Sequence, residues 1–279
     1  MINPKNLSHI MIDDNGVFSD VSLDLNTFSR DSVAFELVAA EDYLYYGRYK
    51  PFPAIYFELT VANTTVGTQS VEYWNGTAWA SVAGLIDETK CYLRSGFIYF
   101  DQASDWAAIA VDSIEAYWLR FKPALDLSAG TSLKGISIIF SDDRDLEGVY
   151  PGVLNYLQAS EAGSAIARHQ TVRDEIVQAV RGKGFRKIDA DGNHSQYEAW
   201  DFLNVYEVNQ WSTYKVLENI FSSLQSTQDG LYKQKADEYK EKAADFENAY
   251  YLTLDKDDDG IADPAELAND ITVRGLIRG

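Results

Sequence analysis

Cysteine is almost absent: Cys91 is the only one in 279 residues. No intramolecular disulfide is possible, which fits a reducing compartment, and no Cys-x-x-Cys pair exists. Basic residues are also scarce, with 24 Lys and Arg against 43 Asp and Glu, for a formal net charge of -19. Binding a phosphate backbone requires a surplus of cations to displace counterions, so nucleic-acid and anionic-membrane partners are not expected. No stretch approaches 18 consecutive apolar residues, and the start Met1-Ile-Asn-Pro-Lys5 lacks the basic and apolar regions of a secretory signal. These features predict a chain made in the cytoplasm and not inserted in a membrane.

What remains is an ordinary globular composition, 46% hydrophobic and 24% charged, long enough for two domains. The acidic excess is shared: 10 basic and 21 acidic residues lie up to Tyr150, and 14 and 22 after it. Runs at 31–38, 54–61, 70–74, 97–100, 116–121 and 135–140 are rich in aromatic and β-branched residues and are separated by turn signals. They predict an antiparallel β-sandwich or jelly roll over residues 1–145. Asn75-Gly76 between Trp74 and Trp79 predicts a hairpin with a two-residue turn. The charged stretch Ser141 to Pro151 reads as the connection between domains.

Beyond it the apolar period changes from two to about 3.6. Ala162, Ala165, Ile166, His169, Val172, Ile176 and Val180 form one helical stripe, and a second helix is expected over Glu207 to Leu224. A third, Leu231 to Tyr251, carries Tyr232, Ala236, Tyr239, Ala243, Phe246 and Tyr250 at steps of four and three. Such a stripe needs a helical partner, within the domain or from a neighbouring subunit, and Tyr232, Tyr239, Phe246 and Tyr250 are candidates for a subunit interface. The fold class is therefore multidomain α+β, with a helical bundle over 146–254 and an acidic loop and tail over 255–279.

The strongest motif is Asp255-Lys-Asp257-Asp-Asp259-Gly260-Ile-Ala-Asp263-Pro-Ala-Glu266. Calcium takes several oxygen ligands, and carboxylates at the first, third and fifth positions of a loop can wrap one ion when glycine at the sixth permits a sharp turn. The Ile261 carbonyl, Asp263 and Glu266 would complete the shell. Ile261 and Pro264 depart from the EF-hand pattern, and the run is closer to isolated aspartate-rich calcium loops. The bland alternative is a solvated acidic turn leading to a short helix capped by Asp263. A weaker echo, Asp189-Ala-Asp191-Gly192-Asn193 with Glu198, has Lys187 at the first ligand position and reads as a surface turn.

Catalysis is hard to assemble. His9, His169 and His194 are far apart in sequence, His169 lies on an apolar stripe, and no nucleophile elbow, zinc motif or phosphate loop is present. No enzyme activity is expected. The aromatic residues, 6 Trp, 18 Tyr and 13 Phe, are expected mainly in core and interface.

The residues Ile166-Ala-Arg-His-Gln170, Trp200-Asp-Phe-Leu203, Val208-Asn-Gln-Trp-Ser-Thr-Tyr-Lys-Val-Leu217, Ile220-Phe-Ser-Ser-Leu224 and Lys235-Ala-Asp-Glu-Tyr239 resemble the helical head-to-tail connector, or neck adaptor, proteins of tailed bacteriophages. Val71-Glu-Tyr-Trp-Asn-Gly-Thr-Ala-Trp79, Ser95 to Phe100 and Tyr117 to Arg120 are similar to a β-domain of phage virion proteins. The resemblance implies a helical bundle of adaptor type and a homo-oligomeric ring, commonly twelvefold. Such a ring assembles in the host cytoplasm and sits in the virion neck between the portal protein and a tail-side stopper protein. DNA would pass through without specific binding, helped by acidic walls, and the β-domain would face outward as a collar or brace. The tail residues Ile271, Val273, Arg274, Leu276, Ile277 and Arg278 would dock on the portal. The rival expectation is a calcium-assisted glycan-binding or adhesion module using the Tyr43 to Tyr49 and Trp74 to Trp79 surfaces.

Overall fold

The computed structural model describes residues 8–26, 32–161, 163–184, 186–188, 192–224, 230–249, 252–262 and 266, with the side chains of 248 and 249 excepted. The chain divides into two units, Met1–Ile138 and Ile139–Gly279. It is mixed α+β, with antiparallel sheets first and helices second. Asp263, Pro264, Tyr250, Asp189, Asp191 and the tail residues Ile271, Val273, Arg274, Leu276, Ile277 and Arg278 lie outside the described residues.

Two antiparallel sheets build the first unit. One has the order β2 (Val17–Asp20), β1 (His9–Asp14), β4 (Tyr43–Arg48), β11 (Ile114–Pro123), β6 (Gln69–Trp74) and β7 (Trp79–Ser81), with β10 (Ile109–Val111) also pairing β11. The other runs β3 (Val33–Ala34), β12 (Ser132–Ser137), β5 (Ala54–Val61), β9 (Gly96–Asp101) and β8 (Ala83–Asp87). A short helix, α1 (Ser22–Asn26), follows β2. Alternation along the strands sends Leu44, Tyr46, Leu119 and Phe121 into a shared core with Ile55 and Phe57. The rings of Phe57 and Phe121 meet edge-on at 5.4 Å, and Phe52 meets Tyr46 at 5.2 Å, so aromatic contacts make the sandwich-like seam.

The first sheet has a second core on its other face. Met11, Tyr45, Val111, Ala116 and Trp118 bury together, with Phe18, Tyr43, Trp79, Ile109 and Ile114 packed at the margin. The β10–β11 hairpin covers this cluster, turning through Asp112 and Ser113 at φ 45° and 70°. The Trp118 indole donates to the carbonyl of Ile109 at 3.0 Å, which satisfies its one polar atom. Gly47 is required opposite it, because a Cβ there would lie 2.4 Å from the indole ring.

The expected two-residue turn at Asn75-Gly76 is instead part of a four-residue loop, since Trp74 pairs with Trp79 across residues 75–78. The Asn75 side chain stabilises this wider loop from within, because its Oδ1 accepts from the backbone N–H groups of Thr77 and Ala78. The tight turn of that type occurs at Asn15-Gly16, with φ 48° and 88°, joining β1 to β2.

After β8 the backbone passes through three successive left-handed residues, Lys90, Cys91 and Tyr92, at φ 54°, 58° and 64°. Each costs roughly 1–2 kcal/mol. Asp87 offsets this by accepting from Thr89 N, Thr89 Oγ1, Cys91 N and Gln69 Nε2, bonds to an ionised acceptor worth about 1.5–3 kcal/mol each. Asn63 adds a bond to the Cys91 carbonyl. β8 itself is an edge strand, and its register against β9 shifts between Ala83 and Ile86. Gly84 sits in that shift at φ 60°, where a Cβ would meet the Asp101 carboxylate.

The strand expected over 135–140 ends at Ser137, still in the first unit, because pairing with β5 stops at Tyr56, and the second unit begins at Ile139. Ile139 and Phe140 are buried, and the Phe140 ring lies 4.8 Å from that of Phe202. The expected linker is also structured. Asp142 and Asp145 form a reciprocal capping box that starts α2 (Asp143–Val149). There follow α3 (Ile166–Gly182), the small hairpin β13 (Lys187–Ile188) and β14 (His194–Ser195), α4 (Val205–Ser223) and α5 (Gly230–Ala249). Val172, Ile176 and Val180 of α3 and Val208, Leu217 and Ile220 of α4 are buried. The aromatic stripe of α5 faces α4 within the chain: Tyr239 stacks on Phe221 at 5.8 Å, Tyr232 on Phe221 at 6.3 Å, and Phe246 meets Tyr214 at 5.5 Å. Tyr232, Tyr239 and Phe246 therefore find their partner within the chain, with Tyr239 fully covered, because α4 supplies rings at matching spacing.

Two outcomes follow for the first unit. Gly47→Ala forces the Trp118 ring aside and should lower stability by about 1–3 kcal/mol in urea unfolding. The Cys91 thiol is buried and its pKa is pushed up to about 11, first by desolvation and then by the Asp87 charge. It should resist thiol reagents at pH 8 and react only as the unit unfolds.

Candidate metal centre

The chain leaving α5 returns beside the turn that precedes α4. Leu254 bridges Phe202, Leu203 N donates to the Thr253 carbonyl, and Asp255 N donates to the Asp201 carbonyl at 2.9 Å. Glu207, in the first turn of α4, accepts from the Thr253 amide at 2.7 Å and its hydroxyl at 2.8 Å. On the other side Ile188 N donates to the Lys256 carbonyl at 2.8 Å. Asp255 is thus fixed at the start of the acidic loop by backbone from two separate segments, and it is fully buried.

The loop then closes on itself. Asp255 Oδ2 accepts from Gly260 N at 3.0 Å, a bond from the sixth position to the first, and Asp259 Oδ1 accepts from Ile261 N at 2.7 Å. Asp258 and Gly260 turn the backbone through left-handed φ values of 66° and 79°. Carboxylate oxygens of Asp255, Asp257 and Asp259 lie within 4.8 Å of one another. Glu266 is buried and folds back to accept from Lys256 N. Of the five expected carboxylate ligands, Asp255, Asp257 and Asp259 are therefore brought into one group, Glu266 reaches the loop's start, and Asp263 lies outside the described residues. Ile261 is half-buried beside them. An all-oxygen donor set of this kind suits a hard divalent cation.

A second acidic group shares Asp255. Oxygens of Asp201, Asp255 and Asp258 also lie within 4.8 Å of one another, and this buried cluster can hold a metal ion. It already contains a cation of the chain. The Lys187 ammonium donates to both oxygens of Asp201, at 3.1 and 3.0 Å, and to Asp258 Oδ1 at 2.7 Å. Lys187 and Asp201 are both buried, and Asp201 also accepts from Glu198 N to start its turn. Sequence alone does not single out Asp201. Its one signal is the Lys at the first ligand position of the 187–198 stretch, which marks a place where a cation is supplied rather than bound. Glu198, at the last position of that stretch, faces Arg181 at 2.5 Å, and burial raises its carboxyl pKa above the ordinary range.

One further constellation has the composition of a catalytic triad. Ser141 Oγ lies 2.9 Å from His169 Nδ1, and His169 Nε2 lies 3.3 Å from Asp143 Oδ1. A nucleophile must reach its substrate. Ser141 is fully buried and bonds Ser212 Oγ at 2.7 Å, and Asp143 also accepts from Ala165 N at the start of α3. The group joins the entry to α2 with α3 and α4, which is a packing role. Beside it, burial and the Asp142 charge raise the Asp145 pKa.

The expected sugar platform of the first unit is largely consumed by packing. Tyr45 and Tyr46 are buried, and the Arg120 guanidinium sits 4.7 Å from the Tyr43 ring and 4.6 Å from the Trp79 ring while pairing with Glu72 at 2.6 Å. Rings already stacked on a cation offer less face to a sugar.

Fold and loop thus define a two-unit α+β protein with an acidic cation-type loop. No family model matches the chain, and no curated protein matches it.

The buried triad gives a direct check. His169→Ala should destabilise the protein by about 1–3 kcal/mol for each buried partner left behind, measured in urea. A fluorophosphonate probe should leave Ser141 unlabelled in the folded protein; labelling there would reverse the packing assignment.

Proposed function

We propose that the chain is a non-enzymatic structural subunit of the neck of a tailed-bacteriophage virion, an adaptor ring between the portal and a tail-side stopper protein. The observation that carries this reading is that the residues resembling neck adaptors fall on the packed α3, α4 and α5 helices and the Trp200 to Leu203 turn. The buried state of the Ser141 group favours a structural role over a catalytic one. The sandwich-like first unit, whose resemblance to a virion β-domain supports a jelly-roll topology, serves as the outward collar or brace. The tail from Ile271 to Arg278 docks on the portal. The acidic surface lets DNA pass without adhering.

The loop from Asp255 holds calcium, with Asp257, Asp259, the Ile261 carbonyl, Asp263 and Glu266 completing the ligands. Its role is to stiffen the segment that follows α5. The oxygen donors present fit that ion.

The assembly is tested by native mass measurement and by co-purification with portal protein. A large ring that retains portal is expected, and removal of residues 271–279 should weaken that attachment while both units stay folded. A monomer that ignores portal and binds glycans would overturn the reading. For the ion, calorimetry should show one calcium per chain, lost in Asp257→Ala/Asp259→Ala; no heat with the unaltered protein would leave the loop a plain acidic turn.

A further inference from the structure

The two acidic groups that share Asp255 are not equivalent. The exposed pair Asp257 and Asp259 lies on one side, and on the other are Asp201, which is fully buried, and Asp258. A group of carboxylates this close repels itself strongly where solvent is excluded. On the buried side the repulsion is reduced by Lys187, whose ammonium donates to both oxygens of Asp201 and to Asp258 Oδ1. Its position is held independently of those bonds, because β13 pairs with β14 and Ile188 N bonds the Lys256 carbonyl.

We propose that the Lys187 ammonium is a resident cation: it fills the place among Asp201, Asp255 and Asp258 that a divalent ion would take. One ammonium set against three carboxylates lowers the negative charge of this side without metal, though it does not cancel it. That one charge reaches from the 187–188 hairpin to the turn before α4 and the loop after α5, beside the backbone bonds that already join these segments. The number of divalent ions bound is then set by Lys187, which closes the buried position and leaves only the Asp255, Asp257, Asp259 side open. The inference does not require that an ion occupy the open side.

The test uses the full chain, melted in EDTA and in millimolar calcium chloride, with calcium counted by calorimetry. Lys187→Gln should melt roughly 10 °C lower than the unaltered protein in EDTA, because an ammonium is removed from a buried carboxylate. Calcium should recover most of that loss, and the variant should bind one more ion per chain than the unaltered protein. The double variant Lys187→Gln/Asp258→Asn removes a negative charge along with the ammonium; it should melt higher in EDTA than Lys187→Gln and lose the extra ion. The proposal is overturned if Lys187→Gln melts in EDTA like the unaltered protein, or if its loss is not recovered by calcium. It is also overturned if neither variant folds in either solution, since the lysine stem rather than its charge would then be what matters. An unaltered protein that binds no calcium beside a Lys187→Gln variant that binds one would defeat the ion reading of the open side and sustain this one.

Discussion

One buried ammonium sits in the acidic cluster at which the helical unit closes. Lys187 meets Asp201 and Asp258 where three stretches distant in sequence converge, and all are flanked by apolar residues such as Phe202 and Leu254. Removing one partner from a buried ion pair typically costs about 3–5 kcal/mol, far more than an exposed pair contributes. The same corner receives the chain that follows α5. Its outgoing chain is drawn back along the start of α4, where Glu207 fastens Thr253, so the helical hairpin is tied at its open end as well as through its packed face.

The first unit solves a different problem, a sheet that is apolar on both faces. β4 and β11 bury residues on either side, so a second cluster forms around Trp118 under the β10–β11 hairpin. The left-handed turn at Lys90 to Tyr92 is tolerated because Asp87 gathers its amides. In both units a single aspartate sets the shape of a turn that hydrophobic patterning alone does not specify.

The alternation of apolar residues makes β5, β6, β9, β11 and β12 legible but leaves β1, β4 and β8 unread, and the 3.6 period locates α3, α4 and α5 to within a few residues. The departures share a physical cause, namely side chains that satisfy backbone locally. Asn75 bonds its own loop rather than adopting a two-residue turn, and the Asp142 capping box makes a helix from a stretch that composition marks as linker. The acidic loop is legible because its ligand spacing is local. Asp201 and Lys187 are not, since their meeting depends on the return of the chain after α5. The α5 stripe shows that a partner is needed, but a one-dimensional pattern does not say whether that partner is α4 or another subunit.

The register shift in β8 has a consequence for crowding. That strand ends its sheet with Leu85 and Ile86 toward solvent, the profile of an edge that recruits further strands. The bend at Gly84 breaks the even row of amides and carbonyls that another strand would need for continuous pairing. A flat version of the same edge would compete with every intended contact by growing open-ended ribbons, an outcome that the break in pairing disfavours.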